Sequence, residues 1–255
     1  MNITIIQADL AWQNKTKNLQ YFDKKIGQIN VPTDLIVLPE MFTTGFSMKS
    51  QLLAETMNGP TLNWMAAKAK QTNALIMGSL IITEDDYFYN RLIAMLPDGN
   101  YYFYDKRHLF RMADEHHHYN HGVEQLVVEY KGWRIFPLIC YDLRFPVWSR
   151  NSNSYDLLVC IANWAAPRSH AWKTLLLARA IENQVYVAGV NRVGVDGNDI
   201  PFSGDSAIID MKGQIMTNLK PSVEGIETIT LSLENLKKFR EDFPAWQDAD
   251  KFELK

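Results

Sequence analysis

Three residues that could perform chemistry stand at the ends of apolar segments of this 255-residue sequence. Glu40 ends the segment DLIVLPE, Lys106 follows YYFYD, and Cys140 ends WRIFPLIC. A carboxylate can act as a general base, an ammonium group can stabilise an oxyanion, and a thiol can act as a nucleophile. The turn that leaves a strand also presents backbone N–H groups that stabilise an anion. The three residues together therefore predict covalent catalysis by a thiol.

Each of the three residues also has a structural interpretation. Free cysteines are mostly small apolar residues of the core, so Cys140 could simply end a strand. Glu40 could mark the point where burial stops, and Lys106 could be the solvated end of a hairpin, since both residue types are mostly exposed. The agreement of a base, a cation and a nucleophile at three strand ends favours the catalytic interpretation.

Composition and charge narrow the classes of function. The net charge of −3 and the pI near 6.1 provide no basic surplus that could neutralise nucleic-acid phosphates, so a small-molecule substrate is expected. We expect Cys140 and Cys160 to be reduced thiols of a cytoplasmic protein, because the sequence has no secretory signal pattern. Membrane association is not expected either, because no apolar run reaches the roughly 18 residues that a span needs.

The pattern of apolar segments predicts one α/β domain over residues 1–255. Strands alternate with helices at about 16–29 and after Pro60, and again after Cys140, where HAWKTLLLARAIENQ predicts a helix. Between these regions, four strand-like pieces with the turn signals PDGN and YKGW predict antiparallel hairpins. We expect a mixed sheet with helices outside it, in a layered α/β sandwich, followed by a charged aromatic tail from Glu234 to Lys255.

Three segments carry a resemblance to a known family. LIVLPEMFTTG, YYFYDKRHLF and PLICYDLRFP resemble, in this order and with comparable separations, the catalytic segments of the nitrilase superfamily of carbon-nitrogen hydrolases. The resemblance extends from the first strand through FSGDSAIIDMKGQ. NWAAPRSHAWKTLLLARAIENQVYVAGVNRVG is more similar to the ω-amidase branch, whose members hydrolyse monoamides of α-keto dicarboxylates such as 2-oxoglutaramate. The fold that this implies is the nitrilase-type α-β-β-α sandwich, a four-layer α/β arrangement.

The resemblance also implies roles for individual residues. Cys140 would be the nucleophile, and Glu40 the general base that takes its proton and later activates water. Lys106 would lie beside the tetrahedral intermediate, and the backbone N–H of Tyr141 would complete the oxyanion hole. Glu115, in DEHHHYNHG, stands where the family carries a second glutamate. The implied enzyme is a thiol amidohydrolase that needs no cofactor and no metal.

An α-keto acid monoamide carries a carboxylate, which needs a cation other than the one beside the oxyanion. Arg144 and Arg168 are the candidates, because a guanidinium group binds a carboxylate in bidentate fashion. Trp164 would pack along the aliphatic stem of the substrate. Two alternatives stay open: Arg144 could instead hold the loop through Asp142, and Trp164 could belong to the core.

Five of the six histidines lie between His108 and His121, and this clustering raises a second class of function: a non-catalytic metal-binding or interaction protein on the same fold. Metal binding is disfavoured, because adjacent histidines of a strand or loop point in divergent directions. We expect His116–His118 to lie in a polar loop around the site entrance instead. Cys160 is interpreted as a buried, inert thiol, because aliphatic residues flank it.

The carboxyl-terminal tail suggests self-association. Phe243, Trp246 and Phe252 are large aromatic residues that follow the last predicted strand. Exposed aromatic side chains favour interfaces, and members of the resembled family commonly pair through their sandwich layers. We therefore expect a homodimer.

Overall fold

A computed structural model describes residues 1–254. Their strands are β1 (Asn2–Gln7), β2 (Leu35–Val37), β3 (Leu75–Glu84), β4 (Tyr87–Met95), β5 (Tyr101–Asp105), β6 (Val128–Tyr130), β7 (Trp133–Ile139), β8 (Leu157–Ala162), β9 (Tyr186–Asn191), β10 (Val193–Val195), β11 (Pro201–Ser203), β12 (Ala207–Ile209) and β13 (Gly225–Thr230). Their α-helices are α1 (Lys15–Ile26), α2 (Ser50–Leu53), α3 (Pro60–Thr72), α4 (Ser169–Asn183) and α5 (Leu233–Asp242).

Two large sheets of mixed direction form the centre of the molecule. The six-stranded sheet has the order β13-β1-β2-β3-β4-β5, in which β1, β2 and β3 are parallel and the remaining pairings are antiparallel. The five-stranded sheet has the order β12-β9-β8-β7-β6, with parallel β7, β8 and β9 between two antiparallel edge strands. The predicted hairpins β4-β5 and β6-β7 are therefore confirmed, and each adds an antiparallel edge to a different sheet.

Alternation along the central strands separates two apolar cores. In β2, Leu35 and Val37 join the core that contains side chains of both sheets, whereas Ile36 joins a second core with Phe22 of α1 and Met65 of α3. Successive side chains of a strand point to opposite faces, so a strand that is covered on both faces has to be apolar throughout.

Helix α4 packs on the five-stranded sheet. The side chains of Trp172 and Leu176 are buried and lie against Gly189 of β9. The contact is so close that a Cβ atom at Gly189 would lie only 2.4 Å from Leu176. With α1 and α3 on the outer face of the six-stranded sheet, the layers run helix, sheet, sheet, helix. The predicted α-β-β-α sandwich is confirmed.

The end of the chain differs from the prediction. Instead of a tail from Glu234, the chain forms helix α5, with the side chain of Ser232 accepting a hydrogen bond from the backbone N–H of Asn235. Leu236 is fully buried, and Arg240 pairs with Asp156 at 2.9 Å. The serine cap, the buried side chain of Leu236 and the packing of Leu233 and Phe239 against the same core anchor this helix. The first helix also ends earlier than predicted, at Ile26 rather than near residue 29.

Two further features of residues 1–254 bear on the sequence predictions. Cys140 and Cys160 are both unpaired, as predicted. No helix in this part of the chain has the length and apolar character that crossing a membrane requires.

Candidate active site

The predicted base, cation and nucleophile meet at one end of the two packed sheets. Glu40 follows β2, Lys106 directly follows β5 of the same sheet, and Cys140 directly follows β7 of the other sheet. The ammonium Nζ of Lys106 lies 2.9 Å from Oε1 of Glu40. Lys106 and Cys140 line the same cavity. The sandwich therefore brings together three residues from two sheets.

Glu115 completes a fully buried cluster of charges. It lies in the short 3-10 helix Glu115–His117, and both its carboxylate oxygens are 3.0 Å from Nζ of Lys106. The backbone N–H of Phe110 donates a further hydrogen bond to Glu115, at 2.5 Å. Glu40, Lys106 and Glu115 have no exposed surface. Burial of charges without partners is very costly, so the two carboxylates and the ammonium must hold one another in place.

The pKa values in this cluster follow from burial and charge. Burial alone would lower the pKa of Lys106, but the carboxylates of Glu115 and Glu40 hold it well above its ordinary value. Burial raises the pKa of Glu115, and the attraction of Lys106 opposes that rise. Burial and the negative charge of Glu40 raise the pKa of the Cys140 thiol, against the influence of Lys106. The surroundings of Cys140 therefore favour the neutral form of its thiol.

Two buried asparagines, which the sequence analysis missed, hold Glu40. Nδ2 of Asn90 in β4 donates to Glu40 Oε1 at 2.8 Å. The backbone N–H of Asn163, just past β8, donates to Oε2 at 2.7 Å, and Nδ2 of Asn163 donates to the carbonyl oxygen of Glu40 at 2.5 Å. Among residues 1–254, Oδ1 of each asparagine is buried without a hydrogen-bond partner. The one available signal was an isolated asparagine in each apolar segment, YNRLIAM and VCIANW.

The backbone at Cys140 adopts a strained conformation. Its φ is +48°, in the left-handed region that a residue with a side chain rarely occupies. Such a conformation costs on the order of 1–3 kcal/mol and persists only where the surroundings enforce it. The short 3-10 helix Cys140–Arg144 begins at this residue, so the chain turns sharply out of β7 and leaves Cys140 partly exposed on the cavity wall.

The carboxylate of Asp142 stabilises this turn, but Arg144 is not one of its hydrogen-bond partners. The buried carboxylate of Asp142 accepts hydrogen bonds from the backbone N–H of Ile139 at 3.1 Å, from the hydroxyl of Tyr104 at 2.8 Å and from the backbone N–H of His108 at 2.8 Å. Arg144 is not among its partners, so the prediction that Arg144 could hold the loop through Asp142 is wrong. A planar guanidinium was not needed, because backbone and tyrosine donors already satisfy both oxygens.

Arg144 and Arg168 both line a cavity of about 420 Å³ around Cys140. The guanidinium of Arg144 lies 4.8 Å from the ring centre of Trp164, and that of Arg168 lies 5.2 Å from the ring centre of Phe110. Within residues 1–254, neither arginine forms an ion pair with a carboxylate, unlike the five arginines that do. The two side chains therefore give the cavity positive charge that no carboxylate among residues 1–254 neutralises through an ion pair.

Trp164 and Tyr141 form part of the cavity wall. Trp164 is only 4% exposed, its ring centre lies 5.5 Å from that of Trp172, and its indole N–H donates to the carbonyl oxygen of Arg168 at 2.8 Å. It is thus both a wall of the cavity and a core residue, so the two alternatives for Trp164 are compatible. The hydrogen bond also ties the backbone at Arg168 to this wall.

The histidine run lies beside the cavity rather than in its wall. His116, His117 and His118 border an adjacent depression, which shares Met48 and Lys49 with the cavity at Cys140, and none of the three histidines lines that cavity itself. The rings of His116 and His117 do not diverge either, because their centres are 3.9 Å apart. In a 3-10 helix, neighbouring side chains are set closer in direction than the alternation of a strand would allow.

Comparisons with known proteins agree with this geometry. A family model described as Carbon-nitrogen hydrolase matches residues 2–241. Omega-amidase YafV of Escherichia coli strain K12 is 51% identical over 254 residues, which cover 100% of this chain and 98% of that protein. A 2-oxoglutaramate amidase of Bacillus subtilis strain 168 is 32% identical over 98% of this chain and 97% of that protein.

A solved structure is also similar over the whole chain. The protein XC1258 of Xanthomonas campestris, described as a CN-hydrolase superfamily protein with an arsenic adduct in the active site, superimposes with a TM-score of 0.97 and 44% identity, covering 100% of this chain and 99% of that one. The chain belongs to the carbon-nitrogen hydrolase family. It is a hydrolase of carbon–nitrogen bonds, and its similarity to the two amidases confirms the predicted resemblance to the ω-amidase branch.

Proposed function

We propose that this chain is an ω-amidase that hydrolyses the terminal amide of a small α-keto acid monoamide such as 2-oxoglutaramate, through a thioester on Cys140. The observation that carries the proposal is the contact of buried Lys106 with both Glu40 and Glu115 beside the cavity that Cys140 lines. The similarity to an omega-amidase and to a 2-oxoglutaramate amidase supports the choice of substrate.

Acylation begins with transfer of the Cys140 proton to Glu40. The sulfur attacks the amide carbonyl carbon, an S–C bond forms, and the carbonyl electron pair moves to the oxygen to give a tetrahedral oxyanion. When this intermediate collapses, the C–N bond breaks and Glu40 returns the proton to the departing nitrogen. Ammonia leaves, and the acyl group remains on Cys140 as a thioester.

Deacylation uses the same carboxylate in the second half of the cycle. Glu40 removes a proton from water, and the water oxygen attacks the thioester carbonyl. Collapse of the second tetrahedral intermediate breaks the C–S bond and releases the carboxylic acid. The proton held by Glu40 returns to the sulfur, which restores the neutral thiol that burial favours.

Lys106 and the backbone N–H of Tyr141 stabilise the oxyanion in both tetrahedral intermediates. Preorganised donors are effective where bulk solvent does not screen them, and the ammonium group of Lys106 has no exposed surface. Glu115 acts through Lys106: its two oxygens, each 3.0 Å from Nζ, fix the direction of the ammonium group. Glu115 is therefore a positioning residue in this mechanism.

Two arginines of the cavity support the proposed preference for an anionic substrate. Arg144 and Arg168 are cations without a carboxylate partner among residues 1–254, and either can receive the substrate carboxylate in bidentate fashion. Trp164 presents a flat apolar surface for the short aliphatic stem. Branched or bulky amides meet this rigid wall, whose indole is fixed by its hydrogen bond to the carbonyl oxygen of Arg168.

An ammonia-release screen tests the proposal. 2-Oxoglutaramate or a close α-keto amide should exceed glutamine, asparagine, nitriles and ureido acids in kcat/KM by orders of magnitude. The matched control is the Cys140→Ala variant, which should release no ammonia from any of these compounds. A preference for a nitrile or for N-carbamoyl-β-alanine would retain carbon–nitrogen hydrolysis and overturn the substrate, since it would indicate another amidase of the superfamily.

We also propose that the protein acts as a homodimer in the cytoplasm. Phe243 and Phe252 are 61% and 49% exposed, an unusual state for phenylalanine that favours an interface. Trp246 is only half-buried. A monomeric mass by light scattering at micromolar concentration would contradict the dimer.

The cytoplasmic location is supported by the two unpaired cysteines, which are typical of a reducing compartment.

A further inference from the structure

A cluster of side chains that could ligate a metal ion lies outside the cavity at Cys140. Asp114, His116 and His117 each place one ligand atom within 4.8 Å of the corresponding atoms of the other two. None of the three lines the cavity at Cys140. Nδ1 of His116 is buried and has no hydrogen-bond partner among residues 1–254. A buried ring nitrogen without a partner is an unmet bonding capacity that a cation could satisfy.

The local backbone explains why these three side chains converge. Glu115–His117 forms a 3-10 helix, and Asp114 is the residue that precedes it. Asp114 has a left-handed backbone conformation, with φ +55°, and its carboxylate lies near the ring of His117 across this short turn. The ring of His116 lies 3.9 Å from that of His117, centre to centre. The arrangement depends on this helix and would not form on an extended strand.

The distances are compatible with a tetrahedral ion after small rotations. Ligand atoms about 2.1 Å from zinc are roughly 3.4 Å apart, so separations that are all within 4.8 Å have to shorten by at most about 1.4 Å. His117 and Asp114 are exposed and His116 is partly exposed, so their side chains have room to rotate. Arg111 is a nearby cation that would oppose a bound metal ion, since its carbonyl oxygen accepts a hydrogen bond from the backbone N–H of Asp114.

We propose that Asp114, His116 and His117 form a surface site for one divalent transition-metal ion, with zinc as the preferred test ion. Two imidazoles and one carboxylate suit Zn²⁺, Ni²⁺ or Cu²⁺, whereas Mg²⁺ and Ca²⁺ prefer oxygen ligands alone. Water fills the remaining position. The site goes beyond the amidase activity, and its ligands flank Glu115, whose side chain reaches Lys106 on the interior side of the same helix.

Isothermal titration calorimetry with zinc chloride tests the site. The untagged Cys140→Ala variant serves as the parent, so that zinc cannot bind the catalytic thiol. We expect one equivalent of zinc to bind with micromolar affinity. His117→Ala and Asp114→Asn should each weaken binding about tenfold or more, since even a group that only supports a metal ligand is worth that much. Magnesium chloride should give no saturable binding.

His118→Ala is the matched control, because His118 is an exposed neighbour that does not belong to the cluster. Its affinity for zinc should equal that of the parent, and circular dichroism should show the same folded state for every variant. Arg111→Gln should tighten binding by removing the opposing charge. Absence of saturable binding by the parent would overturn the site. Equal affinities of the parent and His117→Ala, or equal losses in His117→Ala and His118→Ala, would overturn it as well.

Discussion

Asn163 holds Glu40 from two directions. Its backbone N–H donates to the carboxylate Oε2 at 2.7 Å, and its side-chain Nδ2 donates to the backbone carbonyl oxygen at 2.5 Å. The two residues are 123 positions apart in the sequence, and they follow strands of different sheets, β2 and β8. The contact therefore fixes Glu40 relative to the sheet that carries Cys140.

Asn163→Ala should lower kcat and leave KM nearly unchanged. The variant keeps the backbone N–H but loses the contact with the carbonyl oxygen of Glu40, so the carboxylate can shift relative to Cys140. Misplacement of a catalytic group by an ångström costs about 100-fold in rate, and we expect a loss of about 10- to 100-fold. Steady-state kinetics with 2-oxoglutaramate measures both constants. Asn198→Ala, at the cavity mouth, is the control, and an equal loss of kcat in both variants would argue against this role.

Lys106→Met should reduce kcat by about 100- to 1000-fold, the usual cost of removing one oxyanion donor. The substitution also leaves Glu40 and Glu115 buried without a cation, which we expect to cost about 3–5 kcal/mol in the free energy of unfolding. Urea titration measures the free energy of unfolding. Steady-state kinetics without urea, at a temperature where the variant remains folded, measures kcat. A loss of kcat below about tenfold would remove Lys106 from the proposed chemistry.

Substitution of an arginine should affect charged and neutral substrates differently. Arg144→Gln or Arg168→Gln should raise KM for 2-oxoglutaramate by about tenfold or more, because a hydrogen bond to a charged group is worth about 1.5–3 kcal/mol. Hydrolysis of a neutral amide such as butyramide should change little. Whichever variant shows the selective effect identifies the carboxylate ligand. Equal losses on both substrates would show that the arginine maintains the cavity wall instead.

The raised pKa of Cys140 predicts the pH dependence of alkylation. A thiol whose pKa lies above its ordinary value is mostly protonated near neutrality, so its thiolate fraction rises with pH. Inactivation of the substrate-free protein by iodoacetamide should therefore accelerate continuously from about pH 7 to about pH 9. Intact-mass spectrometry should show one added group, and none in Cys140→Ala, because Cys160 is fully buried. A rate that is already constant across this range would indicate a stable thiolate.

The parts of the site that could be predicted from sequence are those that local pattern determines. Glu40, Lys106 and Cys140 interrupt apolar segments, and a polar residue at such a point is expected at a strand end, where catalytic side chains gather. The resemblance to the nitrilase superfamily added Glu115, which no local pattern distinguishes. That residues 1–255 form a single domain stays a prediction.

The missed contacts depend on long-range pairing. Asn90 and Asn163 lie inside apolar segments, and their role follows only when β4 and the end of β8 are placed beside Glu40. The partners of Asp142 come likewise from Tyr104 and His108 of another strand end. Local patterns give the direction of a side chain relative to its own strand, but they do not determine which distant segment faces it.

The direct test of the account is detection of the thioester on Cys140. The protein is mixed with 2-oxoglutaramate, quenched in acid during turnover and analysed by intact-mass and peptide mass spectrometry. We predict an increase equal to one 2-oxoglutaryl group, located on the peptide that contains Cys140 and removed by hydroxylamine, together with no adduct and no turnover in a folded Cys140→Ala variant. Undiminished ammonia release by Cys140→Ala, or an adduct on any other residue, would contradict the account.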